Sequence, residues 1–211
     1  IMSKGILARK VGMTQFFDEH GRSVPVTVLK AGPCYVVQVK TAEQDGYNCV
    51  QLGFEPQAQQ RVNQPLKGHY KRANVAPCRF LREFRVDNPQ EYAPGQQLNC
   101  DMFSTGDYVD VRAITKGKGF AGSIKRHGFR RGPESHGSHY HRGPGSLGAV
   151  DQARVFKGRP LPGRMGGQKR MVQNLQVAQV DSSKHLLMVK GSIPGSRGAL
   201  VEVRSAAKAG R

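Results

Sequence analysis

The feature that most constrains this sequence is a strongly basic segment between residues 112 and 170. It holds fourteen lysines and arginines against two acids, Glu134 and Asp151, a balance of +12 out of a net charge of +18 for the whole chain. No apolar residues recur in it with the period of a helix or a strand. A segment this poor in large apolar groups cannot bury enough surface to offset the entropy lost on ordering. We therefore expect a binding partner to supply that free energy.

The overall charge indicates that this partner is a polyanion. A pI near 10.3 favours nucleic acid first, and acidic membranes or heparin-like surfaces second. No apolar run approaches the roughly 18–20 residues that span a bilayer, and the N-terminal residues lack the features of a secretory signal. Cys34, Cys49, Cys78 and Cys100 lie singly, which favours buried reduced thiols over a zinc site or a disulfide framework. We expect a protein of the reducing cytoplasm that does not engage a membrane.

Short apolar runs separated by turn residues predict β structure on both sides of the basic segment. Before it, residues 3–54 read as successive strands, and Val109–Ile114 is the last strand candidate. After it, the candidates are Val172–Val180, Leu186–Val189 and Leu200–Val203. Short strands at regular spacing are typical of a barrel or a sandwich. The pattern predicts one sheet system with a long functional or disordered loop inserted into it.

Residues 57–74 interrupt the strand pattern, which returns as alternation at Arg79–Val86 before a loop at Asn88–Gln97. Gln57–Gln64 is polar, and Pro65 favours a short helix over Leu66–Ala73 because proline suits the first turn of a helix. A second, weaker basic patch lies here, formed by Arg61, Lys67, Lys71 and Arg72. A solvated helix face explains this patch equally well.

Gly117–Gly122 reads GKGFAG, a literal GxGxxG directly after a strand. In a dinucleotide-binding fold such a loop opens a long helix, and an acid about twenty residues further on binds the ribose. Here Gly128, Gly132 and Pro133 stop any helix early, and no such acid follows. A nucleotide-dependent enzyme remains an alternative, but a chain lying along phosphates fits the surrounding bases better.

Three histidines, His136, His139 and His141, form an HxxHxH cluster in a loop rich in Gly and Ser. Metal binding is an alternative, but the loop offers no rigid scaffold and no adjacent carboxylate to orient the rings. Imidazoles that stack on bases or bond to phosphates suit this setting better. Ser135 precedes His136, yet no oriented acid or elbow motif supports a nucleophilic triad.

A nearly uncharged stretch, Gly143–Gly148, lies between Arg142 and the bases that resume at Arg154. Its glycines allow close approach to another surface, and Pro144 stiffens the bend. We interpret it as a loop tip that fits where larger side chains would clash. A mobile tip without a function is the alternative.

Several motifs in the chain resemble one family, the third protein of the large ribosomal subunit (the ribosomal protein L-three family, of bacterial type). The signature of that family fits Phe103, Asp110, Ala113, Thr115, Gly117-Lys118-Gly119, Gly122 and Arg126. Further similarity lies in Lys4–Leu7, Lys10–Gln15, Gly132–Ser138, Arg142–Gly148, Val155–Gly158, Val172–Leu175 and Val189–Gly195. The resemblance therefore runs in order along nearly the whole chain.

The resemblance implies a mainly β fold: a six-stranded β-barrel like that of translation factors, with a small mixed insertion and a long irregular basic extension. We accordingly predict barrel segments at residues 1–56, 98–115 and 171–211, an insertion with a short helix at 57–97, and an extended loop at 116–170. It implies a structural constituent of the large ribosomal subunit that binds the subunit's RNA, nucleates assembly and reaches toward the peptidyl transferase centre. Neighbouring ribosomal proteins are implied partners.

Site residues follow from the basic segment and from the family together. The expected RNA contacts are Lys116, Lys118, Lys125, Arg126, Arg130, Arg131, His136, His139, His141, Arg142, Ser146, Arg154, Lys157, Arg159, Arg164, Lys169 and Arg170. The expected tip residues are Gly143, Pro144, Gly145, Leu147 and Gly148. Bacterial members of the family carry a methylated glutamine just beyond, where this chain has the shorter Ala149–Ala153; Gln152 is the candidate equivalent. We expect no catalytic residue, metal, cofactor or small-molecule substrate. A non-specific basic nucleic-acid or heparin binder remains an alternative.

Overall fold

A computed structural model describes residues 4–208. These residues form two compact units: one comprises the chain before Thr115 and after Gln168, and the other is Thr115–Gln168. About 40% of the residues are strand and 13% helix, so the predicted mainly β class is confirmed. No described helix is long and apolar enough to cross a membrane.

The first unit contains most of the regular structure. Its elements in chain order are β1 (Gly5–Phe17), β2 (Ser23–Ala31), β3 (Cys34–Lys40), α1 (Ala42–Asp45), β4 (Cys49–Pro56), α2 (Gln64–Arg72), β5 (Cys78–Arg85), β6 (Gln97–Leu98) and β7 (Tyr108–Ile114). The second unit contributes β8 (Phe120–Ala121), α3 (Ser123–His127) and β9 (Gly163–Arg164). The first unit then resumes with β10 (Lys169–Asp181), β11 (Leu186–Lys190) and β12 (Leu200–Ser205).

Six strands close into an antiparallel barrel in the order β1-β12-β7-β10-β11-β2, which confirms the predicted six-stranded barrel. Residues directly opposite each other on neighbouring strands share a face. Ile6 therefore faces Val203, and Val203 in turn faces Val111; all three are fully buried. Irregularities in register interrupt β1 between Lys10 and Gly12, and β10 at two places. Such bulges bend strands and increase their twist, which helps a sheet to close.

A second sheet of four strands, in the order β5-β4-β3-β6, packs with the barrel around one continuous apolar core. The predicted barrel segments at 1–56 and 98–115 therefore need correction. β3 and β4 leave the barrel, and only β7 contributes barrel strand between residues 98 and 115. Strand alternation in a sequence reports that one face is buried, but it does not report which sheet the strand joins.

Gly5 on β1 lets the second sheet approach the barrel closely. A Cβ atom at Gly5 would collide with the ring of Phe84, which is buried on β5. Two ion pairs also link the sheets: Arg9 with Glu55, and Arg82 with Glu202, whose Nε and Oε1 atoms lie 3.6 Å apart. The position of β5 next to the barrel therefore requires a residue without a side chain at position 5 of β1.

Helix α2 covers the other face of the second sheet. Asn63 caps it by accepting a hydrogen bond from the Leu66 amide at 3.1 Å, with Pro65 in the first turn. Tyr70 is the buried residue of the helix, and its hydroxyl donates to the Cys78 carbonyl oxygen at 2.8 Å. The short helix predicted over Leu66–Ala73 is thus observed, beginning two residues earlier.

All four cysteines are free and buried. Burial raises the pKa of the Cys34 thiol to about 12 and that of Cys78 to about 11. Thiolates are the reactive and metal-binding form of cysteine, so these four side chains act as small apolar core residues.

Candidate nucleic-acid interface

The second unit begins and ends as a two-stranded ribbon. The Thr115 amide donates to the Gln168 carbonyl oxygen at 3.0 Å, and the Lys118 amide donates to that of Met165 at 2.9 Å. Phe120 on β8 then pairs with Arg164 on β9. The Gly117–Gly122 segment is therefore one strand of a ribbon. The ribbon is tight, because a Cβ atom at Gly166 would collide with the Lys116 carbonyl oxygen.

Helix α3 follows the glycine segment and has five residues, ending at Gly128 with a left-handed φ of 73°. A dinucleotide-binding crossover requires a helix of ten residues or more after the glycine loop. A five-residue helix between two paired strands does not supply the phosphate-binding geometry of that motif. The local structure thus argues against the nucleotide-dependent alternative.

Arg126, an expected phosphate contact, is engaged within the protein. Its Nη1 atom donates to the Leu161 carbonyl oxygen at 2.8 Å, and its guanidinium packs where a Cβ atom at Gly163 would lie. The His127 Nε2 atom lies 3.1 Å from the same carbonyl oxygen. Arg126 therefore holds the returning chain against α3, and part of its hydrogen-bonding capacity is already used.

Tyr140 organises the loop that precedes the tip. Its hydroxyl accepts a hydrogen bond from the Gly145 amide, and its ring occupies the space that a side chain at Gly143 would need. The next residue anchors the loop on the other side, because the His141 carbonyl oxygen accepts from the Gly132 amide at 2.9 Å. Sequence reasoning missed Tyr140. Its signal was present, since it is the sole tyrosine between residues 112 and 170 and has glycines on both sides.

The tip is tied to the returning chain by Arg159. The guanidinium of Arg159 donates to the Ser146 carbonyl oxygen, and the Ser146 hydroxyl accepts from the Gly148 amide at 3.3 Å. Leu147 remains 45% exposed. Gln152 is exposed in a turn closed by the Ala153 amide and the Val150 carbonyl oxygen at 3.0 Å. The tip thus presents an apolar side chain and small residues on a partly fixed backbone.

The three histidines of the HxxHxH cluster do not form a metal centre. His141 is engaged with the Pro133 carbonyl oxygen through Nδ1 at 2.8 Å, and His136 adopts a left-handed φ of 57°. Within residues 4–208, no three His, Cys, Asp or Glu side chains converge as a metal site would require. The imidazoles are all exposed, so they are available to an external partner.

Most of the remaining bases in the second unit are exposed and uncompensated. Arg131 is paired with Glu134 on the surface. For the part of the chain that the structure describes, no hydrogen bond or ion pair engages the charged groups of Lys116, Lys118, Lys125, Arg130, Arg142, Arg154, Lys157 and Arg164. Lys169 and Arg170 are exposed on β10. Two exposed aromatic side chains, Phe120 and Phe156, lie among these bases. This combination suits a polyanion that also offers stacking surfaces.

A closed β-barrel that carries an irregular, uncompensated basic insertion is typical of the class of proteins that bind nucleic acid. Comparison with known proteins narrows that class. The family model described as Ribosomal protein L3 matches residues 84–185. The large ribosomal subunit protein uL3 of Carboxydothermus hydrogenoformans is 59% identical over 207 residues, covering 98% of this chain and 99% of that protein. Those of Desulforudis audaxviator and Geobacillus stearothermophilus are 59% and 56% identical, each over 208 residues, 99% of this chain and 98% of the relative. The chain belongs to the ribosomal protein L3 family, a family of structural proteins.

Proposed function

We propose that this protein is a structural constituent of the large subunit of the cytoplasmic ribosome and binds large-subunit ribosomal RNA directly through residues 116–170. Membership of the family supports the first part, because the relatives are named as large-subunit proteins. The second part rests on the eight exposed bases of the second unit whose charged groups make no hydrogen bond or ion pair among the described residues. Each base that neutralises a phosphate releases counterions, which favours binding at low salt.

The basic segment acts as the extension that enters the RNA. Its bases neutralise phosphates along both strands of the ribbon, and the Gly143–Gly148 tip reaches furthest, toward the peptidyl transferase centre. Because glycine and serine at the tip occupy little volume, RNA backbone packs against them closely. The extension helps to organise that centre, and the protein contributes no catalytic group of its own.

Early binding to ribosomal RNA gives the protein a role in assembly. Among the described residues, the second unit buries only one apolar side chain, Ala121, so RNA that closes around the extension stabilises it, and protein and RNA stabilise each other's structure. Neighbouring large-subunit proteins then pack beside the barrel. A subunit reconstituted without this protein should stall before the RNA around the extension becomes protected.

Competition binding separates this function from non-specific polyanion binding. The intact protein is bound to a labelled transcript of large-subunit ribosomal RNA and challenged with random-sequence RNA, or with heparin, at equal salt and equal phosphate concentration. We expect the ribosomal transcript to compete at least tenfold better than either. Equal competition by all three polyanions would instead identify a non-specific basic binder.

A further inference from the structure

We propose that the edge strand β5 carries a second RNA-binding surface, separate from the extension, that takes the phosphodiester backbone of a single-stranded or looped segment. This inference rests on the proposed function, because it assigns a further contact to the same class of partner. The surface is built around a groove of about 340 Å³ beside β5 and α2. We call it the β5 groove and define it by Arg61, Asn63, Leu66, Arg79, Leu81 and Arg82.

The charge of the β5 groove is one-sided. Arg61, Arg79 and Arg82 line it, and no Asp or Glu does. Arg79 and Arg82 are exposed on the same strand, three residues apart, which places their backbones about 10 Å from each other. Guanidinium groups bind phosphate through paired N–H donors, which makes arginine the preferred side chain for phosphate recognition. Side chains three residues apart on a strand point to opposite faces, so Arg79 and Arg82 border the groove from the two sides of β5. Together with Arg61 they give the groove three phosphate-binding groups.

Apolar side chains contribute to the lining of the groove beside its polar groups. Leu66 and Leu81 line it together with Tyr70, whose side chain is buried and oriented by its bond to the Cys78 carbonyl oxygen. Apolar surface beside phosphate-binding groups suits a ribose or an unstacked base. A simple inorganic anion needs no apolar surface, so this mixed lining favours a nucleotide chain over a free phosphate.

The position of β5 at the edge of its sheet raises a competing possibility, a protein strand added to that edge. β5 pairs with β4 on one side, and it is the last strand in the sheet order. Charged side chains on an edge strand oppose pairing with a further strand. β5 has this protection, because three of its eight residues are arginines: Arg79, Arg82 and Arg85. We therefore assign the edge to RNA.

A cluster of arginines extends the basic surface from the groove onto the barrel. Glu202 on β12 lies 3.6 Å from both the Arg82 Nε and the Arg112 Nη1 atoms, and 3.4 Å from the Arg204 Nη2 atom. Three guanidinium groups around one carboxylate leave a local excess of two positive charges. These contacts are longer than the 2.7–2.9 Å typical of charge-assisted hydrogen bonds. Each guanidinium carries five N–H donors, and these contacts use only some of them, so donors remain for a phosphate.

Glu202 has a positioning role in this cluster. Its side chain is 12% exposed and holds three like charges near one another, where they would otherwise repel. Arg204 is held further by its position over the Phe84 ring, 5.1 Å from the centroid. Its buried Nε atom has no hydrogen-bond partner among the described residues. A basic surface prepared in this way loses little entropy when RNA binds.

The test compares two double variants of the full-length protein. R61Q/R79Q removes two groove charges that make no ion pair within residues 4–208, so the fold should persist. R22Q/K30Q removes two exposed charges outside the groove and serves as the matched control. Dissociation constants for a large-subunit ribosomal RNA transcript are measured over a series of salt concentrations. Thermal unfolding confirms that both variants fold.

In a plot of the logarithm of the binding constant against the logarithm of the salt concentration, each phosphate contact contributes up to about 0.9 to the slope. We therefore expect R61Q/R79Q, which removes two contacts, to reduce the magnitude of the slope by about 1 to 2. The control should change it by less than half as much. Equal effects in the two variants would overturn the inference. A third variant, K116Q/K118Q in the extension, tests the proposed function separately. The proposed function requires this variant to weaken RNA binding, whether or not the groove variant does.

Crosslinking supplies the second readout. In the assembled subunit, the peptide that contains Arg79 and Arg82 should crosslink to RNA. A crosslink from this peptide to another ribosomal protein, without one to RNA, would assign the edge of β5 to a protein partner and would contradict the proposal.

Discussion

The backbone amide of Thr115 donates to the carbonyl oxygen of Gln168, 53 residues later in the chain, at 3.0 Å. The second unit therefore starts and ends at neighbouring points. Because the two ends already meet in strand-like pairing, a short turn should be able to replace the residues between them.

Replacing residues 116–167 by Asn-Gly should leave the first unit folded, because Asn-Gly favours the tight turns that join antiparallel strands. Neither apolar core cluster of the first unit contains a residue from the removed segment. The two buried residues of that segment, Ala121 and Ser123, belong to the second unit. Circular dichroism should retain the β signal and show a single cooperative thermal transition. Loss of that transition would contradict the division into two units. Affinity for ribosomal RNA should fall at least tenfold in the same variant.

The contact between Gly5 and Phe84 predicts a large effect from one methyl group. Gly5→Ala should destabilise the protein by about 1–3 kcal/mol, the typical cost of overpacking a close-packed core. Gly12→Ala in the same strand is the matched control. A Cβ atom there would meet the Arg197 side chain no closer than 3.7 Å, so its effect should be much smaller. Chemical denaturation measures both values.

A second substitution identifies the cause. If the ring of Phe84 is the obstacle, then Phe84→Leu should cost less in the Gly5→Ala background than in the parent chain, and a double-mutant cycle gives the coupling. Additive effects would show that Gly5 matters for its backbone alone.

Tyr140 should determine how well the loop before the tip is ordered. Tyr140→Phe keeps the ring and removes the hydroxyl that accepts from the Gly145 amide, a loss of about 0.5–1.5 kcal/mol locally. We expect faster hydrogen exchange at Gly145 in that variant, with little change in the barrel. Tyr140→Ala should also accelerate proteolysis between residues 130 and 148. Unchanged exchange in both variants would mean that Tyr140 does not hold the loop.

The pair formed by Lys40 and Glu83 should make stability depend on pH in the acid range. Lys40 donates to Glu83 at 2.8 Å and Tyr47 donates to it at 2.9 Å; the hydrogen bond from Lys40 is the main cause that lowers the pKa of Glu83 below its ordinary value of 4.5. A carboxylate with a lowered folded-state pKa contributes stability above its unfolded pKa and loses it as the pH falls.

Glu83→Gln tests this dependence. The parent chain should be slightly more stable than the variant above pH 5, and the difference should shrink as the pH falls below 4.5. The effect should be small because both side chains are partly exposed and exposed ion pairs contribute little to stability. Denaturation midpoints measured from pH 3 to pH 7 check the sign. A difference that grows toward acid pH would contradict it.

The sequence predicted the strands of the barrel well, because apolar alternation and turn residues are local signals. It did not reveal that β3 and β4 form a separate sheet, since sheet membership depends on long-range pairing. It also did not reveal that Arg126 and Arg159 bond to carbonyl oxygens within the protein. A count of charges treats every arginine as free, and only the folded chain distinguishes Arg126 from an exposed base such as Lys125.

The most direct measurement is the salt dependence of binding to large-subunit ribosomal RNA by a variant lacking four uncompensated bases of the extension, K116Q/K118Q/K125Q/R130Q. Its matched control, R22Q/K30Q/K184Q/K190Q, removes four exposed charges from the first unit. If residues 116–170 bind phosphates, the slope should fall in magnitude by about 2 to 4 in the extension variant, and clearly less in the control. An unchanged slope in the extension variant, with both proteins folded, would show that the basic extension is not the RNA-binding element.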